Sequence, residues 1–288
     1  MTGVDEREVQ HDIETPASIQ IRFGIEFLAA SLADATVVMS MPMSGLRNPF
    51  TGAPTVGPLA ILVDAAAGMV NHYRRRADQW TVSSELSLDV SPDAIEAIDD
   101  VAAPVVASAG AVGSVGTTPL SICTLTCGDT VIGTGTVRSV FIPADGVTAK
   151  RPPQTVLGEA PTLADLMAVQ IQTDQDGSTV LNSTVLNSMV LNQHADADLN
   201  NDIGIVHGGT AAAGLELAAS AAINSDRSAG LLQTASLRVN FVRPFMAGST
   251  SRYVGTPLRV GRTTGIADAQ AIGDDGKVAL TARVTAYR

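Results

Sequence analysis

Apolar and polar positions alternate with period two over residues 35–41, 81–90, 101–108, 117–126 and 130–142, and again over 234–242, 250–257, 264–272 and 278–287. That spacing predicts half-buried strands. Gly128-Asp129 and Asp274-Asp275-Gly276 fall between strands as hairpin turns. Two stretches break the alternation. Pro58 to about Arg74, and Thr210 to Ile223, are Ala-rich and apolar nearly all round. They predict helices that must be covered on most sides. Each holds one carboxylate inside its apolar run, Asp64 and Glu216. Elsewhere, residues 1–15 read as a polar, frayed arm, and 16–32 have room for a short helix. Residues 143–161 form a Pro/Gly-rich linker, and Thr162 opens a short capped helix. Val-Leu-Asn-Ser recurs every five residues between Thr179 and Asn192, a period that fits neither helix nor strand. It reads as local duplication around a hairpin and strand, with no chemistry attached.

The two halves share one element order: strand, loop, helix, then four strands. They also align without a gap at an offset of 152 (200 − 48): Asn48 with Asn200, Gly52 with Gly204, Gly57 with Gly209, Ala60 with Ala212, Asp64 with Glu216, Ser84 with Ser236, Pro92 with Pro244. Ungapped matching through loop, helix and strand indicates a duplicated domain. The expected units are residues 1–145 and 162–288, joined by a linker over 146–161. One helix and about five antiparallel strands per unit make the class α+β.

Composition narrows the choices. The 288 residues are 45% hydrophobic but only 3% aromatic, so the core is built from small and β-branched side chains. A net charge of −11 argues against nucleic-acid binding. No run of apolar residues is long enough to span a bilayer, and the acidic N-terminus lacks a signal-peptide core. A cytoplasmic location without membrane partners is expected. Cys123 and Cys127 lie four apart in one strand, too far apart for a relaxed disulfide. They are read as reduced core residues. No Cys/His metal pattern is present, and His11, His72 and His194 read as solvated.

The richest stretch for chemistry is Asn200-Asn-Asp-Ile-Gly204-Ile-Val-His207-Gly208-Gly209 at the start of the second helix. A helix N-terminus offers free N–H groups to an anion or carbonyl oxygen, and a carboxylate in apolar surroundings is a candidate base. With Asn201, Gly204, His207-Gly208-Gly209 and Glu216 nine residues after the histidine, the segment resembles the hotdog-fold acyl-CoA thioesterases of the phenylacetate-pathway type. Asn240-Phe-Val-Arg243-Pro244 and Gly261-Arg262 resemble the family too. The resemblance covers roughly residues 186–288, and the first half joins it through the repeat, with Thr55-Val56-Gly57 in place of His-Gly-Gly.

The resemblance implies two tandem hotdog domains, each a long helix wrapped by a curved antiparallel sheet of about five to six strands. It implies hydrolysis of an acyl-CoA, with coenzyme A as part of the substrate and no separate cofactor. A homodimer of double hotdogs is expected. Gly209, Arg243 and Arg262 are the positions implied for CoA contacts.

Spacing then dictates how such a site is assembled. His207 and Glu216 are nine helical residues apart, ~13 Å along the axis, and a general base must reach its target directly or through one water. Two antiparallel helices side by side resolve this, because each N-terminus then lies near the other's middle. One expected site joins Asn201, His207 and Gly208 to Asp64, with the Gly208 N–H polarising the carbonyl and Asp64 as base or nucleophile. The other joins Glu216 to Thr55, Val56 and Pro49. The family's helper hydroxyls match Ser220 and Thr234, beside Glu216. Their repeat equivalents beside Asp64 are Gly68 and Val82, so no helper hydroxyl is expected there. The Asp64 site is favoured for catalysis. A non-catalytic acyl-ligand binder is the alternative. A hotdog hydratase fits less well, since Ile203 stands where its histidine would follow Asp198.

Overall fold

The computed structural model describes residues 4–100, 103–114, 116–144, 158–172, 188–225 and 230–288. The first half contains α1 (Glu6–Glu14), α2 (Ser18–Phe23), β1 (Glu26–Ser31), β2 (Thr36–Met41), α3 (Leu59–His72), β3 (Gln79–Val90), α4 (Ala94–Asp100), β4 (Val105–Val112), β5 (Leu120–Cys127) and β6 (Thr130–Pro143). The second contains α5 (Leu163–Met167), β7 (Val169–Ile171), β8 (Met189–Gln193), α6 (Gly208–Asn224), β9 (Gln233–Phe241), β10 (Arg252–Val260), β11 (Thr264–Ile272) and β12 (Val278–Tyr287). All strands among the described residues belong to one sheet of order β1-β2-β4-β5-β6-β3-β9-β12-β11-β10-β8-β7. Helix α3 packs on the strands of its own half and α6 on those of the second. This is the tandem α+β arrangement expected of a double hotdog.

The halves meet along β3 and β9, which run antiparallel. Leu86 pairs with Val239 and Ser87 with Arg238. Adding the repeat offset to Leu86 gives 238, and subtracting it from Val239 gives 87, so each pair maps onto the other. The junction is thus a two-fold interface within one chain, the isologous pairing that a homodimer would use.

The two long helices obey the same two-fold. Gly209 meets α3 at Ile61, where an added methyl would lie 2.6 Å from the Ile61 Cα and 2.7 Å from the Ala60 carbonyl oxygen. Gly57, its repeat equivalent, meets α6 at Glu216 and the Ala213 carbonyl. The helices are therefore antiparallel and close, with each N-terminus at the other's middle, as the reach argument required. Only a residue without Cβ fits at position 209, because the opposing atoms are backbone. Gly209→Ala is expected to cost about 1–3 kcal/mol by forcing the helices apart, read as a lower urea midpoint at unchanged slope.

Several expectations need correction. The polar arm is not frayed: Asp5 accepts the N–H groups of Arg7 and Glu8 and starts α1, which buries Val9. The segment around 101–108 becomes a strand only at Val105, and α4 precedes it. Ala94, Ile95 and Ile98 are buried at helical spacing, a signal hidden next to a strand-like run. Residues 16–32 hold both the short helix α2 and a strand, β1. Thr162 does cap α5, with Asp165 bonding back to its N–H at 2.8 Å. The linker falls largely outside the described residues. So does the period-five repeat, except at its end in β8. Cys123 and Cys127 are both buried free thiols, and burial pushes Cys123 up to about 12.

Candidate active site

The loop before α6 is built by its own backbone and one side chain. Asn201 Oδ1 accepts the N–H groups of Ile203 and Ile205 at 3.2 and 3.1 Å. Gly204 takes φ +75° to turn the chain, a conformation that favours glycine. The His207 N–H reaches the Leu199 carbonyl at 2.8 Å. Ahead of the loop, Asp196 and Asp198 both hold Arg22 of α2, at 2.8 and 3.0 Å. This buried ion triad fastens the second half's loop to the first half, and nothing in the sequence pairs residues so far apart.

The loop delivers the N-terminus of α6 to Asp64. The Gly209 N–H donates to Asp64 Oδ2 at 2.7 Å, and Ser83 Oγ donates to Oδ1 at 2.8 Å. His207 Nδ1 lies 3.5 Å from Asp64 Oδ2, beyond a good hydrogen bond, and has no hydrogen-bond partner among the described residues. The Gly208 N–H is likewise unpaired among the described residues. Gly208 packs so tightly that a methyl there would lie 2.8 Å from Asp64 Oδ2 and 3.0 Å from the Phe241 ring. Asn201 uses only its carbonyl oxygen in the loop, so its amide N–H groups are available.

Asp64 therefore does have a helper hydroxyl, contrary to the expectation drawn from Val82. The reason is a displaced β-bulge. In β9 the ladder skips Ala235, leaving Thr234 to face inward. In β3 it skips Ser84, one repeat position later, so Ser83 takes that place. A one-residue shift moves the inward face along the strand, and an offset alignment of sequences cannot show it.

Asp64, Asn201, His207 and Gly208 open onto a cavity of about 810 Å³, within the ~300–1,000 Å³ usual for small-molecule sites. Arg243 is exposed on its lining, whereas Arg262 sits in the β10–β11 turn and lines no part of it. The structure thus brings Arg243, but not Arg262, to the Asp64 cavity.

Glu216 presents the opposite case. It is 1% exposed. Thr234 donates to Oε1 at 2.6 Å and Thr55 to Oε2 at 2.9 Å. Asn48 donates to Ser220 Oγ and to the Leu217 carbonyl, each at 3.0 Å. The space beside it is about 20 Å³, room for about one water. Asn48 was visible in the repeat as the partner of Asn200, but its reach into α6 was not.

Burial pushes the Glu216 carboxyl above its ordinary 4.5, opposed by the Thr234, Thr55 and Ser220 hydroxyls. An acid whose pKa rises on folding holds its proton more tightly folded than unfolded. Its contribution to stability is complete below pH 4.5 and declines as pH rises toward the raised folded value. Glu216→Gln removes this titration. The variant's stability relative to wild type is expected to improve as pH rises from 4.5 toward the raised folded value and then level off, measured by urea unfolding.

Comparison with known proteins agrees with this architecture. Residues 203–280 match the thioesterase superfamily. The chain is similar to a tesB protein of Mycobacterium avium subs paratuberculosis, at 13% identity and TM-score 0.60, over 91% of this chain and 95% of that one. It is similar to an acyl-CoA thioesterase II, TesB2, of Mycobacterium marinum, at 12% identity and TM-score 0.57, over 93% and 97%. A protein with a hot dog fold from Alicyclobacillus acidocaldarius aligns at 13% identity and TM-score 0.52, over 90% and 98%. The chain has the hotdog fold in its double form. No curated protein matches it in sequence. No helix among the described residues is long and apolar enough to cross a membrane.

Proposed function

We propose that this double-hotdog chain hydrolyses an acyl-CoA thioester at the Asp64 site. One observation carries the reading. A carboxylate from one half is held at the helix N-terminus of the other, beside the unpaired Gly208 N–H, and both face the large cavity. Asp64 takes a proton from water as the water oxygen attacks the thioester carbonyl carbon. The resulting oxyanion is met by the Gly208 N–H at the positive end of α6 and by the Asn201 amide. Collapse of the adduct breaks the C–S bond, and the proton on Asp64 passes to the departing CoA thiolate. Ser83 and the Gly209 N–H fix the carboxylate's orientation. His207 lines the site beside them and orients the thioester. Arg243 lies where the cavity reaches solvent and suits a CoA phosphate.

A second, structural reading is favoured at Glu216 alone. Glu216 is enclosed, and no substrate-sized space adjoins it. Purified protein is expected to release free thiol from acyl-CoAs. Binding without thiol release across short, medium and aromatic acyl groups would replace hydrolysis with ligand storage.

A further inference from the structure

The Asp64 cavity runs along one face of α3 and the facing strand. Asp64, Ala65, Gly68, Met69 and His72 line one wall, and residues 80–84 of β3 line the other. Because β3 returns antiparallel, Ser83 stands beside Asp64 and Trp80 beside His72, whose ring meets the indole edge-on at 4.6 Å. From Asp64 to His72 is eight helical residues, ~12 Å. A chain whose carbonyl sits at Asp64 would thus reach His72 with its far end.

That far end is polar yet unpaired. The His72 ring, taken from sequence as solvated, is walled by Trp80 and opens to the cavity, with no hydrogen bond to any described residue. The Trp80 indole N–H is unpaired among the described residues as well. Thr81 lines the same end, and its Oγ1 is buried without a partner among the described residues. The His72 and Trp80 ring nitrogens, half-buried and free of protein partners among the described residues, are thus open to a ligand in the cavity. Burial and the nearby Arg75 charge push His72 down to about 3, so its imidazole is neutral, with one donor and one acceptor nitrogen.

The surrounding charges select the ligand. Glu8, Asp12 and Arg75 face this end, together with His11. Arg75 is already ion-paired with Glu8 and also donates to the His72 and Gln79 carbonyls. Asp12 is raised by burial, opposed by the Tyr73 hydroxyl. An anionic terminus would meet Glu8 and Asp12 with Arg75 already engaged, whereas a hydroxyl can both give to and take from a neutral imidazole.

We infer that His72, with Trp80 and Thr81, is a specificity-determining pocket for a neutral hydroxyl at the distal end of a medium-chain acyl group. This rests on the thioesterase reading for the position of the carbonyl. A binding assay separates the two, because S-alkyl-CoA thioethers cannot be hydrolysed and report recognition whatever the turnover. Wild-type protein is expected to bind a medium-chain thioether with a terminal hydroxyl about fivefold tighter than the plain chain, the worth of one well-made neutral hydrogen bond. A terminal carboxylate should bind more weakly than either. His72→Phe should bring the hydroxyl and plain chains to equal affinity. Equal or tighter binding of the plain chain by wild type would overturn the inference, as would a hydroxyl preference that survives in His72→Phe. If the variant does not fold, the three-way wild-type comparison decides alone.

Discussion

Asp64→Asn is expected to lower kcat for acyl-CoA hydrolysis by roughly 10²–10⁴-fold, the usual worth of a positioned general base, while KM changes little. Asparagine keeps the shape. Its carbonyl oxygen can still accept the Gly209 N–H, and its amide can donate to Ser83 Oγ, which turns to accept. What is lost is the basic oxygen. Because both existing hydrogen bonds survive in altered polarity, the variant should fold and bind thioether analogues as wild type does. Glu216→Gln, by contrast, should leave turnover within about twofold, since no cavity of substrate size reaches that carboxyl. The pair forms an internal control. Thiol release that persists in Asp64→Asn and falls in Glu216→Gln would reverse the assignment of the sites. Turnover that ignores both would remove the helix carboxylates from the mechanism altogether.

Arg22→Ala is expected to destabilise the fold by about 3–5 kcal/mol, the largest effect anticipated for a residue outside the site. The Arg22 side chain is 3% exposed and bonds both Asp196 and the fully enclosed Asp198. Removing it takes the Arg22 charge away from both carboxylates, and at the enclosed Asp198 water cannot replace it. The effect should extend to chemistry, because the aspartates immediately precede Asn200, Asn201 and the His207 turn. Urea unfolding gives the stability loss. Any residual native protein should show a raised KM with a smaller change in kcat, since the loop that presents Gly208 is loosened while Asp64 stays in place. An Arg22→Ala protein as stable as wild type would show that the triad contributes nothing net.

Much of the architecture was legible because it is written in short-range patterns. Period-two alternation marked most of the strands, and two Ala-rich runs marked α3 and α6. The ungapped repeat with Asp64 and Glu216 at equal depth, together with ~13 Å of helix between His207 and Glu216, already required two antiparallel helices and a site shared between halves. Those inferences follow from helix geometry and residue spacing alone.

The tertiary structure decided what depends on registry and on contacts between distant segments. Ser83 serves Asp64 because a β-bulge in β3 lies one residue away from its counterpart in β9, and bulge position is set by packing rather than by residue type. Arg22 and Asp198, or Asn48 and Leu217, meet only when the halves close on each other. His72 read as solvated because a histidine at the end of a helix usually is; the return of β3 put Trp80 against it and enclosed it at the end of a cavity. The inequality of the two carboxylates has the same origin. Sequence placed them at equivalent positions, and three-dimensional packing left open space beside Asp64 and filled it beside Glu216.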